Sequence, residues 1–271
     1  MNVSCLPVSY FKDIQAGRMT VADWVGEAKR CGLDGIDLSI MLFANHTPVY
    51  LERLKKDISD IPLVMVTTYS DLVHPDELQR EREREYLYRD IALAAQLGAK
   101  YIRITAGQAH PKMDTKTGIS IAIESFKHAA NVANRYNIQL LFENHSKPGC
   151  WQYPDFSHPT EIFLEIFDGI RDTNIGINFD TCNTIVFGDD VYSVLDKVMD
   201  KIVTVHAADI EKRGELTPTV IGEGIVPFEG IFAELKKAGF DGWICIEEAS
   251  NTGSSGVKKA VDFVRSTWET A

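Results

Sequence analysis

The feature that most constrains this chain is a rhythm. Short runs rich in β-branched residues alternate with longer amphipathic stretches eight times between the two ends. The runs at residues 3–6, 35–38, 63–67, 101–104, 139–143, 175–180, 202–207 and 243–247 predict strands. The stretches at 20–30, 48–59, 75–97, 119–136, 159–167, 191–199, 228–238 and 256–268 predict helices, two of them stopped by Gly32 and Gly98. Strict alternation implies parallel strands joined by right-handed crossovers. Eight such units in 271 residues predict an α/β chain closed into a single (β/α)8 TIM barrel, a fold that commonly takes about 250 residues. An open doubly wound sheet is the alternative, but no Gly-x-Gly-x-x-Gly follows the first strand. No Ser/Gly/Pro-rich linker divides the chain, so one domain over 1–271 is expected.

Charge narrows the function. Lys and Arg total 28 against 39 Asp and Glu, a net charge of −11, which repels nucleic-acid backbones and anionic membrane surfaces. No apolar run approaches the ~18 residues that span a bilayer, and no basic-then-apolar leader opens the chain. The five cysteines (Cys5, Cys31, Cys150, Cys182 and Cys245) are odd in number and scattered, which suits a reducing compartment. A cytoplasmic enzyme is expected, with neither nucleic acid nor membrane as partner.

The chemistry is concentrated at the ends of strands five to eight. These read Leu-Leu-Phe-Glu143-Asn-His145, Ile-Asn-Phe-Asp180-Thr-Cys-Asn183, Val-Thr-Val-His206-Ala-Ala-Asp209 and Ile-Cys-Ile-Glu247-Glu248. Each strand delivers one ionisable side chain directly after an apolar run, at the face of a barrel where active sites are built. Strand alternation puts Glu143 on the face of Leu141, His206 on that of Thr204, and Glu247 on that of Cys245 and Trp243. Three carboxylates converging in an apolar barrel would be too costly to keep ionised without a cation. Oxygen ligands with one imidazole suit Mn²⁺ first, with Mg²⁺, Co²⁺ or Zn²⁺ as alternatives. Glu143, Asp180, His206 and Glu247 are therefore the expected ligands of one divalent ion. Any one of them alone would serve equally as a helix cap, an ion-pair partner or a core histidine.

Together with Gly222-Glu-Gly224-Ile-Val-Pro-Phe228 and Gly239-Phe-Asp-Gly242-Trp, these strings resemble the sugar phosphate isomerase/epimerase family, the xylose isomerase-like TIM barrels. The resemblance runs over essentially the whole chain and is strongest from 140 to 250. It implies one divalent metal on Glu143, Asp180, His206 and Glu247, with Glu143 and Glu247 also serving as acid and base. On that reading one glutamate removes a proton next to a carbonyl, the metal stabilises the enediolate, and the other glutamate returns a proton. Ketose 3-epimerases of the family often carry a His three residues after the Asp ligand; here Asn183 stands there, an amide that can bind a hydroxyl but not carry a proton. A metal-dependent dehydratase or lyase on a keto-inositol or keto-sugar therefore stays open, as does a non-catalytic sugar-binding barrel. Endonuclease IV shares the barrel, but the segment after Asp209 lacks the Asp-x-His its further metals need.

The substrate contacts expected are Arg103, His145, Asn183, Asp209 and Trp151. Arg103, inside strand four, either binds a substrate anion or pairs with a barrel carboxylate. His145 is a substrate contact or proton relay, or an ordinary loop histidine. Asp209 binds substrate or caps a turn. Trp151 and Tyr153, in the long segment 144–158, form an apolar wall for a sugar ring or pack within a lid. Gly222 and Gly224 are expected to permit a tight turn. The charged run 79–90 reads as a solvated helix face laced with i,i+4 pairs, and Cys182 as a small packing residue. The expected partner is a small carbohydrate, phosphorylated or not, with a homo-oligomer (dimer or tetramer) possible.

Overall fold

The computed structural model describes residues 1–271. Its strands are β1 (Asn2–Leu6), β2 (Ile36–Ser39), β3 (Leu63–Thr67), β4 (Tyr101–Ile104), β5 (Gln139–Glu143), β6 (Gly176–Asp180), β7 (Ile202–Ala207) and β8 (Trp243–Glu247). All are parallel and lie in the order β1-β8-β7-β6-β5-β4-β3-β2, a nearly closed (β/α)8 barrel with helices outside. The seam between β1 and β2 has no continuous ladder. At its base the N–H groups of Asp34 and Gly35 reach the Val3 carbonyl, and the Val3 N–H donates to Asp34 Oδ2 at 2.9 Å.

Local chemistry explains the element boundaries. The helix Val21–Arg30 starts with a capping box in which Thr20 and Asp23 satisfy each other's backbone N–H. Asp76 and Asp114 cap Glu77–Leu97 and Thr115–Arg135 in the same role, and Gly98 ends the former in the left-handed region at φ +85°. Within the run 79–90 no i,i+4 ion pair forms. Glu83 instead accepts from Gln79 Nε2 and from the Asp71 N–H, and Asp90 is buried beside Arg89. The run is thus partly a docking edge for the loop after β3, and not only a solvated face. Two short helices escape the sequence pattern, Phe11–Gln15 after β1 and Asn183–Phe187 after β6. Each is about one turn of helix, too short for a 3.6-residue period to register.

Alternation along the strands divides the protein into two chemistries. Phe142, Phe179, Val205 and Ile246 turn outward into a continuous apolar layer under the helices. Phe142 is stacked between Phe126 and Phe163 with ring centroids 5.0 and 4.8 Å away. Many inward positions are polar: Asp37, Arg103, Glu143, Asn178, Asp180, Thr204 and His206 are all buried. Burying these groups is costly unless they are paired, so the apolar outer layer must carry the stability of the barrel. Phe142→Ala should lower the unfolding free energy by about 3–5 kcal/mol without changing the fold. Urea unfolding with circular dichroism checks this, and a loss below about 1 kcal/mol would show that the aromatic stack is not a principal support.

Candidate active site

Four neighbouring strands deliver Glu143, Asp180, His206 and Glu247 to one point. One ligand-type atom from each lies within 4.8 Å of all the others. His206 Nδ1 is 2.6 Å from Glu143 Oε1 and 3.1 Å from Glu247 Oε2. Adjacent register explains the convergence, because Asp180 stands opposite His206 across the β6–β7 ladder. Glu143, Asp180 and His206 are buried, whereas the Glu247 side chain is 24% exposed and rims the cavity above.

Each member is held from behind. Glu143 Oε1 accepts from Asn178 Nδ2 at 2.9 Å, and Asn178 Oδ1 in turn accepts from Thr204 Oγ1 at 2.7 Å. Glu143 Oε2 is ion-paired to Arg103 Nε at 3.1 Å. Asp180 is bracketed by the Asn144 side chain, which accepts from its N–H at 2.8 Å and donates to its carbonyl at 2.9 Å. Asp180 Oδ1 accepts from the N–H groups of Cys182 and Asn183. Its Oδ2 is buried and has no hydrogen-bond partner.

The electrostatics of the quartet are divided. Burial alone would push the Glu143 carboxyl up, but the adjoining His206 and Arg103 outweigh it and hold it at about 2. Burial, reinforced by the charges of Glu143 and Glu247, pushes Asp180 up to about 8. Burial would lower His206, but the Glu143 carboxylate beside it holds it well above its ordinary value. Three carboxylates thus share one buried guanidinium and one imidazole. A divalent cation fits this set: it would give Asp180 Oδ2 its missing partner and let all three carboxylates ionise together.

Above the quartet opens a cavity of about 520 Å³, large enough for a small sugar. Phe11, Met41, Tyr69 and Leu216 contribute apolar wall, and Lys12 and Lys147 stand among its lining residues. A second cleft of about 10 Å³ behind His145 and Asn183 holds no more than a water.

The remaining sequence candidates separate. His145 and Asn183 line the large cavity. His145 is buried with Nδ1 3.9 Å from Asp155 Oδ2, both atoms without a hydrogen bond, and burial lowers its pKa to about 4. Arg103 also reaches the cavity, but its guanidinium is engaged by Glu143, by the Thr68 carbonyl at 3.1 Å and by the Tyr69 ring 4.8 Å away. Asp209 also lines the cavity, but its carboxylate is engaged by backbone. Its two oxygens accept from the N–H groups of Ile210, Gly222, Gly224 and Val226, so it folds the loop after β7 in the turn-capping role. That role explains the glycines: Gly222 has φ +93°, and a Cβ on Gly224 would meet Asp209 Oδ1 at 2.2 Å. Trp151 takes the lid-packing role. It is buried inside the lid, its indole donating to the Tyr69 carbonyl at 3.2 Å, and it lies off the cavity surface. Tyr153 packs edge-on against His110 instead. Cys182 is buried with its thiol pushed up by burial, as a packing residue would be.

Sequence reasoning missed the supports. Asn178 could have been found by alternation, since it shares the face of Asp180. Asn144 carried no signal. Nor did the clamp on the lid, in which Asp71 accepts from Gln108 Nε2 and lies 2.6 Å from His110 Nε2, while Gln108 Oε1 accepts from the N–H groups of Gln152 and Tyr153. Asp155, in the same lid, holds Ser157 through Oδ1 while burial pushes its carboxyl up to about 7.

Residues 25–267 match the family model described as a xylose isomerase-like TIM barrel. A provisionally named hydroxypyruvate isomerase of Streptomyces coelicolor is 30% identical over 173 residues, spanning 62% of this chain and 60% of that one, less than two thirds of the relative's length. Inosose dehydratase of Geobacillus thermodenitrificans is 22% identical over 260 residues, spanning 85% of this chain and 83% of the other. Among solved structures, a D-tagatose 3-epimerase-like protein superposes with a TM-score of 0.81 at 18% identity, covering 100% of this chain and 98% of its own. The IOLI protein with a bound zinc atom gives 0.79 at 15% identity, covering 100% and 99%. These superpositions establish the shared fold.

Asp155 supplies a test of the electrostatics around the site. Its folded pKa lies above its unfolded one, so the folded state holds the extra proton and stability falls as pH rises from about 4 to about 7. Asp155→Asn should therefore stabilise the protein relative to wild type at pH 8 and leave it nearly unchanged at pH 4, read as urea midpoints. A variant equally displaced at both pH values would show that the buried carboxyl carries no such penalty.

Proposed function

The chain belongs to the xylose isomerase-like TIM barrel family, a group of sugar isomerases, epimerases and dehydratases, and on that footing we propose that it is a divalent-metal-dependent carbohydrate isomerase or epimerase. The observation that carries this reading is the meeting of Glu143, Asp180, His206 and Glu247, with Asp180 and Glu247 lining a sugar-sized cavity and Glu143 and His206 buried beneath it. Those four residues would hold the ion, Mn²⁺ first on the donor set, with Mg²⁺, Co²⁺ or Zn²⁺ also suited. When bound, the ion would polarise a substrate carbonyl and stabilise the negative charge that develops on its oxygen.

The chain's own residues divide the remaining work. Glu247, at the cavity rim, takes the proton from the carbon next to the carbonyl. Glu143, deeper and held ionised by Arg103, Asn178 and His206, is the second proton handler and a fixed anchor. Asn183 and His145 bind substrate hydroxyls from the cavity wall, and the Arg103 guanidinium lends positive charge from below. The lid 144–158, clamped by Gln108, limits water at the reacting carbon. The five cysteines are all free, which agrees with a cytoplasmic location, and no helix is long and apolar enough to cross a membrane. Assembly as a homo-oligomer is part of the same reading.

A second outcome of the same first step is favoured by one observation. The longest of the two relative matches is to an inosose dehydratase, and Asn183 lacks the proton-carrying ability of a histidine. Loss of a hydroxide after proton removal would make this a lyase on a keto-inositol or keto-sugar.

Ketoses, hydroxypyruvate and keto-inositols incubated in heavy water with the Mn²⁺-loaded protein separate the outcomes. Deuterium uptake with otherwise unchanged substrate mass marks isomerisation or epimerisation. A new ultraviolet-absorbing double bond with loss of water marks elimination. Sugar binding that survives chelation, with no exchange on any of these substrates, would mark a non-catalytic barrel and reject the proposal. Glu143→Gln and Glu247→Gln should each reduce turnover at least 10²-fold in a folded barrel, the lower range for a lost acid/base group being about 10². His206→Ala should lose the ion, and unchanged metal content by elemental analysis would remove His206 from the ligand set.

A further inference from the structure

Directly beneath the quartet lies a second group of polar side chains that the proposed chemistry does not use. Asp37 on β2, His206 on β7 and Cys245 on β8 bring ligand-type atoms within 4.8 Å of one another. All three are at most 1% exposed. The sheet fixes the arrangement, because His206 stands opposite Cys245 across the β7–β8 ladder and Cys245 stands opposite Ser4 across β1–β8. Neither oxygen of Asp37 accepts a hydrogen bond, and His206 Nε2 has no partner either. A carboxylate left unpaired in a dry interior is among the costliest groups a fold can carry.

The imidazole supplies a reason. His206 presents Nδ1 to the quartet, 2.6 Å from Glu143 Oε1. To give a lone pair from Nδ1 to a cation, the ring must be neutral with its proton on Nε2. A buried Nε2–H needs an acceptor, and metal-binding histidines commonly find one in a carboxylate. Asp37 and the Cys245 thiol bring ligand-type atoms within 4.8 Å of the same imidazole, and the sulfur can accept from an N–H while its own S–H is directed to the Ile246 carbonyl. We propose that Asp37, acting with the Cys245 thiol, receives the Nε2–H of His206 and so fixes the tautomer and ring orientation that bind a divalent cation. Asp37 is thus a positioning residue, reaching the ion only through His206. This inference rests on the quartet being a metal site.

The test compares metal affinity with metal-free stability. Chelator-stripped wild type, Asp37→Ala, Asp37→Asn and Cys245→Ala are titrated calorimetrically with Mn²⁺ and Co²⁺, and each is melted without metal. Asp37→Ala should weaken affinity by about 10–100-fold, the usual range for such outer partners. Asp37→Asn, which keeps an acceptor oxygen, should fall between Asp37→Ala and wild type, and Cys245→Ala should lose a smaller factor. The metal-free Tm of Asp37→Asn should stay at or near that of wild type, because the amide oxygen still accepts the Nε2–H and the buried charge is gone. A merely structural Asp37 would give the reverse pattern, a lower metal-free Tm with affinity within twofold of wild type, and that result overturns the proposal. If Asp37→Ala fails to fold, the Asn and Cys245→Ala variants carry the same comparison. Wild type that binds neither ion rejects the quartet as a metal site and this inference with it, an outcome distinct from wild type and variants binding alike.

Discussion

Mutual repulsion among Glu143, Asp180 and Glu247 is the constraint around which this barrel is organised. Those side chains meet where water is scarce, with one guanidinium, Arg103, placed permanently beside them. Much of the interior can be understood as a response. Asn178 and Thr204 stiffen Glu143, Asn144 stiffens the backbone at Asp180, and the N–H groups of Cys182 and Asn183 leave Asp180 a single free oxygen. Each contact removes a freedom the side chains would otherwise use to move apart. The cost is met outside the strands, where the Phe126–Phe142–Phe163 stack and its neighbours supply apolar burial without polar atoms to satisfy.

The loops over the mouth follow a different logic, because single side-chain acceptors gathering several backbone N–H groups do the fixing there. Asp209 gathers the N–H groups of the segment after β7 around one carboxylate, and Gln108 does the same for the lid with one amide oxygen. Loops built this way hold a defined shape before any ligand arrives, which reduces the ordering cost of binding. The neighbouring wall residues that make no such bonds, Met41 and Leu216 among them, are then free to differ without loss of the frame.

Much of this architecture was legible in the order of the residues. The strands Leu63–Thr67, Tyr101–Ile104, Gln139–Glu143, Ile202–Ala207 and Trp243–Glu247 have the bounds expected from periodicity, because buried parallel strands are apolar runs cut sharply by turn residues. The quartet was legible for a related reason: a charge placed immediately after such a run has few places to go but the barrel mouth. Asp37 and Asp155 gave no such sign, since a polar residue within a strand or lid reveals its part only through partners on distant segments. Trp151 misled because composition cannot distinguish an aromatic ring facing a cavity from one turned beneath a lid. Asp209 was visible as important, but its choice between ligand and loop depended on glycines 13 and 15 residues later in the chain.

The unstitched boundary between β1 and β2 bears on how the molecule yields. In a ring of eight strands ordered as here, that boundary lies across from β5 and β6, which carry Glu143 and Asp180. Deformation concentrates where amide cross-links are fewest, so thermal breathing of the cylinder is directed to the side across from Glu143 and Asp180. The protein can loosen like a split ring, its gap widening and narrowing, while the opposite arc keeps its shape.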